Sequence, residues 1–160
     1  MKKVKIQKNR GFVILFAMMI SSIILMIALG VTNIATNEIK FSSSAKNTND
    51  AFFAADTGAE CALMNDKSTG TSFPVGTQEG EQNVSCSGNS IKTIKINNSW
   101  TFDIVSFEST WCAKVKVSKE TLENNLVRTT IISKGYNIGK IGNDCIQIEN
   151  SVERQIELTY

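Results

Sequence analysis

The chain has 160 residues, with 17 basic side chains, 15 acidic side chains and no histidine, and this length allows one modest domain. The lack of histidine excludes histidine-based catalytic triads, histidine proton shuttles and His-ligated metal sites. Five basic residues lie in the first ten positions, so the chain after Gly11 holds 12 basic and 15 acidic side chains, a balance of −3. This overall charge argues against nonspecific nucleic-acid binding and leaves only a local patch open.

Residues 12–31 form an apolar run behind a short basic segment. The run contains 12 Phe, Ile, Leu or Val residues, and the next charged residue after Arg10 is Glu38. A helix of this length crosses a hydrocarbon core of ~30 Å, and the positive-inside rule puts the basic end in the cytoplasm. We therefore predict a single-pass membrane protein with a cytoplasmic N-terminus, a transmembrane helix over residues 12–34 and an extracytoplasmic body.

Three fates of this segment are open. Ordinary signal peptidase would cut after the small-x-small site Ala28-Leu29-Gly30 and release a soluble protein. An uncut helix would remain a plain membrane anchor, and a cut after Gly11 would keep the helix in the mature protein. The run exceeds the ~7–15 residues usual in secretory signals, and helical patterning continues beyond Gly30, which argues against the first fate. Only the third explains a small residue directly before Phe12.

Residues 8–15, Lys-Asn-Arg-Gly-Phe-Val-Ile-Leu, resemble the leader of type IV prepilins. The resemblance implies that a prepilin peptidase cuts after Gly11 and methylates the new N-terminus at Phe12. Major pilins carry a glutamate at the fifth mature position, which is Phe16 in this chain. That departure favours a minor pilin or a tip-located pseudopilin over a major pilin.

The same resemblance implies that the apolar helix is both membrane anchor and assembly surface. Expected partners are other pilin subunits through helix–helix packing, the prepilin peptidase and the inner-membrane assembly machinery. The residues expected to form this assembly helix are Phe12, Val13, Ile14, Leu15, Phe16, Ile20, Ile23, Ile24, Leu25, Ile27 and Leu29.

Helical patterning continues through the polar region that follows, because no proline occurs before Pro74 and apolar or small residues recur at helical steps. We predict one long helix over residues 12–66, after a leader of residues 1–11 and before a β-rich body of residues 67–160. The stripe expected to face the body is Ile34, Phe41, Ala45, Thr48, Phe52, Ala55, Ala59 and Ala62.

Residues 51–60, Ala-Phe-Phe-Ala-Ala-Asp-Thr-Gly-Ala-Glu, resemble the distal helix of minor pilins. Small residues at positions 54, 55, 58 and 59 would let a sheet approach the helix backbone closely. Asp56 and Glu60 lie one helical turn apart, which permits a carboxylate pair, but we predict a solvated polar face.

Alternating apolar residues predict a small antiparallel sheet of about four to six strands. Residues 67–81 read as a loop and residues 135–142 as a glycine-rich connection. The predicted strands are 84–87, 91–96, 100–107, 112–118, 127–133 and 145–160. The fold class is therefore α+β, a long N-terminal helix packed on an antiparallel sheet in a pilin-like lollipop.

Residues 130–137 and 152–160 resemble the closing hairpin of minor pilin-like proteins, a strand ending in Ser-x-Gly paired with a final Arg-x-hydrophobic strand. An even number of cysteines beyond the apolar run predicts disulfides in an oxidising compartment. Four cysteines allow three pairings. We predict Cys61–Cys86, joining the helix end to the sheet, and Cys112–Cys145 within the sheet.

The sequence carries no recognisable catalytic motif, so we expect a structural protein, not an enzyme, with no cofactor and no metal. The expected function is a minor subunit of a cell-surface type IV pilus, whose outer body would serve adhesion, DNA uptake or surface sensing. The alternatives are a pseudopilin of a type II secretion-like system and a single-pass, membrane-anchored extracellular binding domain that never polymerises.

Overall fold

A computed structural model of the chain describes residues 10–68, 72–76, 80–86, 88–106, 109–123 and 125–160. The first nine residues of the predicted leader, parts of the predicted loop 67–81, and the predicted strand ends Ser87 and Phe107 lie outside these ranges. The chain divides into two compact units, Met1–Ser43 and Ser44–Tyr160.

Helix α1 extends over Arg10–Ser68, so the predicted long helix is confirmed. Its apolar residues in the first unit are exposed, as expected of a helix that is hydrophobic all round and has no protein around it. In the second unit α1 is packed on the sheet through a face of small residues. Members of that face are Ala51, Ala54, Ala55, Gly58, Ala59 and Ala62.

The second unit contains eight strands in its described residues. Six of them form one antiparallel sheet in the order β1-β2-β3-β4-β5-β8, and the short strands β6 and β7 pair separately. The bounds are β1 Glu81–Cys86, β2 Asn89–Ile96, β3 Ser99–Val105, β4 Cys112–Thr121, β5 Val127–Tyr136, β6 Lys140–Ile141, β7 Asp144–Cys145 and β8 Glu153–Thr159. The α+β class, a helix packed on an antiparallel sheet, is thus confirmed.

Alternation along the strands determines which side chains form the core. Trp100 pairs in register with Val117, and Val117 pairs with Ile131, so these side chains share the face that meets α1. All three are at most 2% exposed. Phe73, which follows the helix, stacks on Phe102 of the same face at 6.1 Å between ring centroids. In β4, Ala113, Val115 and Val117 are buried and the intervening Lys114 and Lys116 are exposed.

Two glycines set how closely α1 approaches the sheet. A Cβ on Gly135 of β5 would lie 2.1 Å from the Ala51 carbonyl oxygen and 2.3 Å from the Ala55 nitrogen. A Cβ on Gly58 of the helix would lie 2.3 Å from the Ser133 hydroxyl oxygen. Such distances are far below van der Waals contact, so helix and strand backbones touch here because both positions lack a side chain.

Both predicted disulfides are present. Cys61 of α1 is bonded to Cys86 at the end of β1, and Cys112 of β4 is bonded to Cys145 of β7, each with a Cα–Cα distance of 5.6 Å. The first bond joins the helix to an edge strand. The second holds the β6–β7 hairpin on the sheet face that is turned away from α1.

Two features of the sequence prediction are wrong in detail. The predicted final strand 145–160 is a two-residue strand, a connection and then β8, because Asn150 takes a left-handed φ of 66° and interrupts the extended backbone. The predicted glycine-rich connection begins too early, since Gly135 and Tyr136 belong to β5.

The predicted inward stripe of α1 is also partly wrong. Phe52 is 46% exposed, whereas Ala51 and Ala54 are at most 1% exposed. Residues with small side chains form the face that meets the sheet, because the strand backbone at Gly135 leaves no room for an aromatic ring. Ala55, Ala59 and Ala62 were placed correctly.

Candidate assembly helix and strand-edge cleft

The predicted assembly residues are all exposed on α1 in the first unit. Their exposed fractions range from 42% at Ile20 to 79% at Phe12. The helix is long and apolar enough to cross a membrane, with a mean hydropathy of 2.9 in its apolar window. Because water does not stabilise such a surface, it needs lipid or other apolar helices around it. The complete set is Phe12, Val13, Ile14, Leu15, Phe16, Ile20, Ile23, Ile24, Leu25, Ile27 and Leu29.

The predicted processing residues lie at the start of this helix. Gly11 is the second residue of α1, and Phe12 follows it within the same helix. Phe16, at the position where a carboxylate is expected in major pilins, is 56% exposed and presents a purely apolar ring. The N-terminal turns of α1 therefore carry no acidic group that could pair with an amine of a neighbouring chain.

Within the second unit, a buried amide completes an edge of the sheet. The Asn65 side chain accepts a hydrogen bond from the Ser85 N–H at 3.2 Å and donates one to the Ser85 carbonyl at 2.9 Å. It thereby satisfies both backbone groups of Ser85, which point outward from edge strand β1. The sequence pattern did not suggest this role, because the partners are 20 positions apart.

Beside the second disulfide lies an acidic side chain held by two donors. The Tyr136 hydroxyl donates to Glu153 Oε2 at 2.8 Å, and Lys134 Nζ lies 3.0 Å from Oε1. The hydrogen bond from Tyr136, and then the charge and bond of Lys134, lower the pKa of Glu153. Burial, with the same carboxylate nearby, raises the pKa of Tyr136 to about 12.

We expect the Tyr136→Phe variant to lose stability mainly at neutral pH. The folded-state pKa of Glu153 is below its unfolded value, so its contribution is present above the unfolded pKa and is lost as pH falls through the folded one. The difference in unfolding free energy between wild type and variant should therefore shrink between pH 7 and about pH 3. Urea titrations of the full chain in detergent micelles, followed by tryptophan fluorescence, would measure it.

Glu153→Gln is the matched control for this prediction. The amide cannot ionise, so in this background the effect of Tyr136→Phe should not change with pH. An equal effect of Tyr136→Phe at both ends of this pH range in the wild-type background would contradict the prediction.

A cleft of about 960 Å³ opens where β2 and β3 separate. The two strands have only three registered pairs, Ile94–Thr101, Lys95–Trp100 and Ile96–Ser99. Beyond Thr101 the described residues form no further pair between them. The cleft walls are residues 89–92 and Ile94 on one side and residues 101–106 on the other. It is also lined by Thr57, Cys86, Trp111, Lys114, Asn143 and Asp144. Of the two tryptophans, Trp100 is a core residue and Trp111 belongs to this cleft.

Asp103 is an ionisable residue of the cleft wall that contacts the β6–β7 hairpin. Its Oδ2 accepts the Cys145 N–H at 2.8 Å and lies 3.9 Å from Lys114 Nζ. Burial raises the pKa of Asp103, and the nearby charge of Asp144 adds to this, while the Cys145 bond and Lys114 act in the opposite direction. Asp103 thus joins the β6–β7 hairpin to the sheet at the rim of the cleft.

The described residues do not bring together a metal site. No group of three or more His, Cys, Asp or Glu side chains converges in the part of the chain that the structure covers. Asp56 is half-buried and Glu60 is exposed on the outer side of α1.

No family model, curated protein sequence or solved structure matches this chain.

Proposed function

We propose that this chain is a structural, minor subunit of a type IV pilus or a related filament. The observation that carries the proposal is the exposed, membrane-length apolar surface of α1 directly behind Gly11-Phe12. It is supported by the body, in which a continuation of the same helix is packed on a disulfide-bonded antiparallel sheet. The resemblance of residues 8–15 to a prepilin leader is the reason for assigning this combination of apolar helix and body to the pilin class.

In this proposal the apolar helix has two successive environments. While the subunit is in the membrane, helix–helix contact gains little over contact with lipid. When the subunit enters a filament, the same surface must be covered by neighbouring helices, so hydrophobic burial is kept. Phe16, in place of the glutamate of major pilins, favours a minor or tip position over the filament shaft.

A pseudopilin of a secretion system is mechanically similar, and the absent carboxylate at Phe16 fits a tip pseudopilin equally. The remaining rival is an anchored or secreted binding domain that never polymerises. A signal sequence and a membrane anchor share the length and composition of α1. The position of the cut distinguishes the pilin-like classes from a secreted domain and from a plain membrane anchor.

Processing of the mature protein tests the proposal. Mass analysis of its N-terminus should find a start at Phe12, with the added mass of one methyl group. Gly11→Val should abolish the cut, because a branched side chain replaces the small residue at the cleaved bond. The matched control is Gly30→Val, which alters the small-x-small signal-peptidase site and should leave processing unchanged. A mature start at Val31, lost in Gly30→Val, would identify a secreted domain, and an intact Met1 would identify a plain anchor.

A further inference from the structure

The cleft between β2 and β3 exposes the backbone edges of both strands. Backbone N–H and C=O groups alternate between the two sides of a strand. The Lys95 N–H donates to the Gly80 carbonyl, on the β1 side, at 3.0 Å. The Ile94 carbonyl accepts from the Thr101 hydroxyl, on the β3 side, at 3.3 Å. Even-numbered residues of β2 therefore direct their backbone groups toward β3, and Ser90 and Lys92 direct theirs into the cleft.

The same reasoning applies to the opposite wall. The Ser106 N–H, just after β3, donates to the Trp111 carbonyl, which is on the β4 side. Even-numbered residues of β3 therefore face β4, and odd-numbered residues face β2. Thr101 pairs with Ile94, but Asp103 and Val105 lie beyond the last registered pair. Within the described strands, the backbone N–H and C=O groups of four residues therefore face the cleft and have no partner strand. Ser90 and Lys92 lie on one wall, and Asp103 and Val105 lie on the other.

We propose that this cleft binds an extended peptide segment of a partner polypeptide as an additional strand between β2 and β3. A strand rises about 3.4 Å per residue, needs about 4.8 Å of width and is about 10 Å thick with its side chains. Five residues therefore occupy about 820 Å³ by these dimensions, which fits the cleft volume of about 960 Å³. Because β2 and β3 are antiparallel, the added strand is parallel to one wall and antiparallel to the other.

The side chains of the cleft define the chemistry of the segment. Ile91, Phe102 and Ile104 lie on the side toward α1 and favour apolar side chains at alternate positions of the ligand. At the outer side Lys92 is paired with Glu81 and Lys114 lies near Asp103, so the cationic groups of the rim already have acidic partners. A neutral strand that alternates β-branched apolar residues with threonine or serine complements both sides. A sugar lacks N–H and C=O groups at the two-residue spacing that both walls require.

The proposal is independent of filament assembly and is tested on the full chain in detergent micelles. The probe is a fluorescently labelled, acetylated and amidated peptide of alternating valine and threonine, six residues long. Its control is the same peptide with every valine N-methylated, which keeps the side chains and removes the donors of one edge. We expect saturable binding of the first peptide by fluorescence polarisation and at least about tenfold weaker binding of the second, since several hydrogen bonds of about 1 kcal/mol are lost.

A matched pair of variants tests the wall itself. Lys92→Pro removes the backbone N–H that points into the cleft. It breaks no hydrogen bond between β2 and β1, and a strand tolerates proline where the N–H has no strand partner. Lys92→Ala keeps that N–H and loses the same side chain. We expect Lys92→Pro to bind the peptide about fivefold more weakly than Lys92→Ala, the effect of one hydrogen bond. Near-UV circular dichroism of the two variants checks that the fold is unchanged.

Hydrogen exchange supplies a readout that does not depend on the variants. The amides of Ser90, Lys92, Asp103 and Val105 should exchange rapidly in the free chain and become protected with the valine–threonine peptide. Protection of these amides in the free chain would overturn the proposal, because the edges would already be paired. Equal binding of the N-methylated peptide would also overturn it, by showing adsorption to an apolar surface without strand pairing.

Discussion

Gly135→Ala is expected to separate α1 from the sheet, with a loss of about 3 kcal/mol or more, the upper end for overpacking of a close-packed interior. The added Cβ would lie 2.1 Å from the Ala51 oxygen, 2.3 Å from the Ala55 nitrogen and 2.9 Å from the Ala55 Cα. All three atoms belong to the helix backbone, so no side-chain rotation relieves the clash. Urea unfolding of the full chain in micelles, followed by the fluorescence of buried Trp100, measures the loss.

Two other glycines make this prediction specific. Gly58→Ala also overpacks the interface, but its nearest neighbour is the Ser133 hydroxyl oxygen at 2.3 Å. That hydroxyl is buried and has no hydrogen-bond partner in the described part of the chain, so adding Ser133→Ala should recover part of the loss. Gly30→Ala meets nothing within 4 Å and should cost nothing, because alanine favours a helix. An unchanged unfolding midpoint in Gly135→Ala would contradict the expected backbone contact.

The close contact at Gly135 also shows why sequence patterns located some elements well and others less well. Periodicity predicted α1 and the strand segments 100–107 and 112–118, because each depends on local alternation or helical spacing. The resemblance of residues 130–137 and 152–160 to a closing hairpin implied the pairing of β5 with β8, which is present. A glycine in a strand looks the same as a glycine in a turn, so Gly135 was assigned to a connection. Its strand conformation follows from the helix that packs on it, which is a tertiary effect.

The order of the elements along the chain was enough to predict the disulfides. It was not enough to predict the cleft. Cys61 lies about two turns before the end of α1 and Cys86 ends β1, and α1 and β1 follow each other along the chain. The separation of β2 from β3 after Thr101 depends on where the ladder stops, and alternation in Ile91–Ile96 is the same whether or not a partner strand is present. The role of Asn65 as a partner for Ser85 likewise needs the three-dimensional fold.

Ile146 and Ile148 alternate as strand residues do, although they lie in the connection between β7 and β8. Both are exposed, at 45% and 38%. The Cys112–Cys145 bond and the Cys145 N–H bond to Asp103 hold this part of the chain on the outer face of the sheet. These long-range constraints prevail over the local β preference.

The second large effect is expected at the ion pair that ties the end of α1 to the sheet. Asp66 Oδ1 lies 2.5 Å from Lys119 Nζ of β4, and their side chains are 5% and 14% exposed. The Tyr160 hydroxyl donates to the other carboxylate oxygen of Asp66 at 2.8 Å. Lys119→Met leaves a buried carboxylate without its counter-charge, and such a loss costs about 3–5 kcal/mol.

Replacing both partners separates two free energies of unfolding. One is the net contribution of the ion pair, and the other is the cost of leaving one buried charge without its partner. In the double variant Lys119→Met/Asp66→Asn neither side chain of the pair is charged. The side-chain carbonyl of the new amide would still accept the hydrogen bond from Tyr160, so most of the lost stability should return.

Lys92→Met is the exposed control for the single variant. Its Nζ lies 2.6 Å from Glu81, nearly as close, but the two side chains are 60% and 58% exposed, and such pairs contribute less than about 1 kcal/mol. Equal losses in Lys119→Met and Lys92→Met would show that burial does not decide the effect. The helix end would then be held mainly by the Cys61–Cys86 bond and the small-residue face.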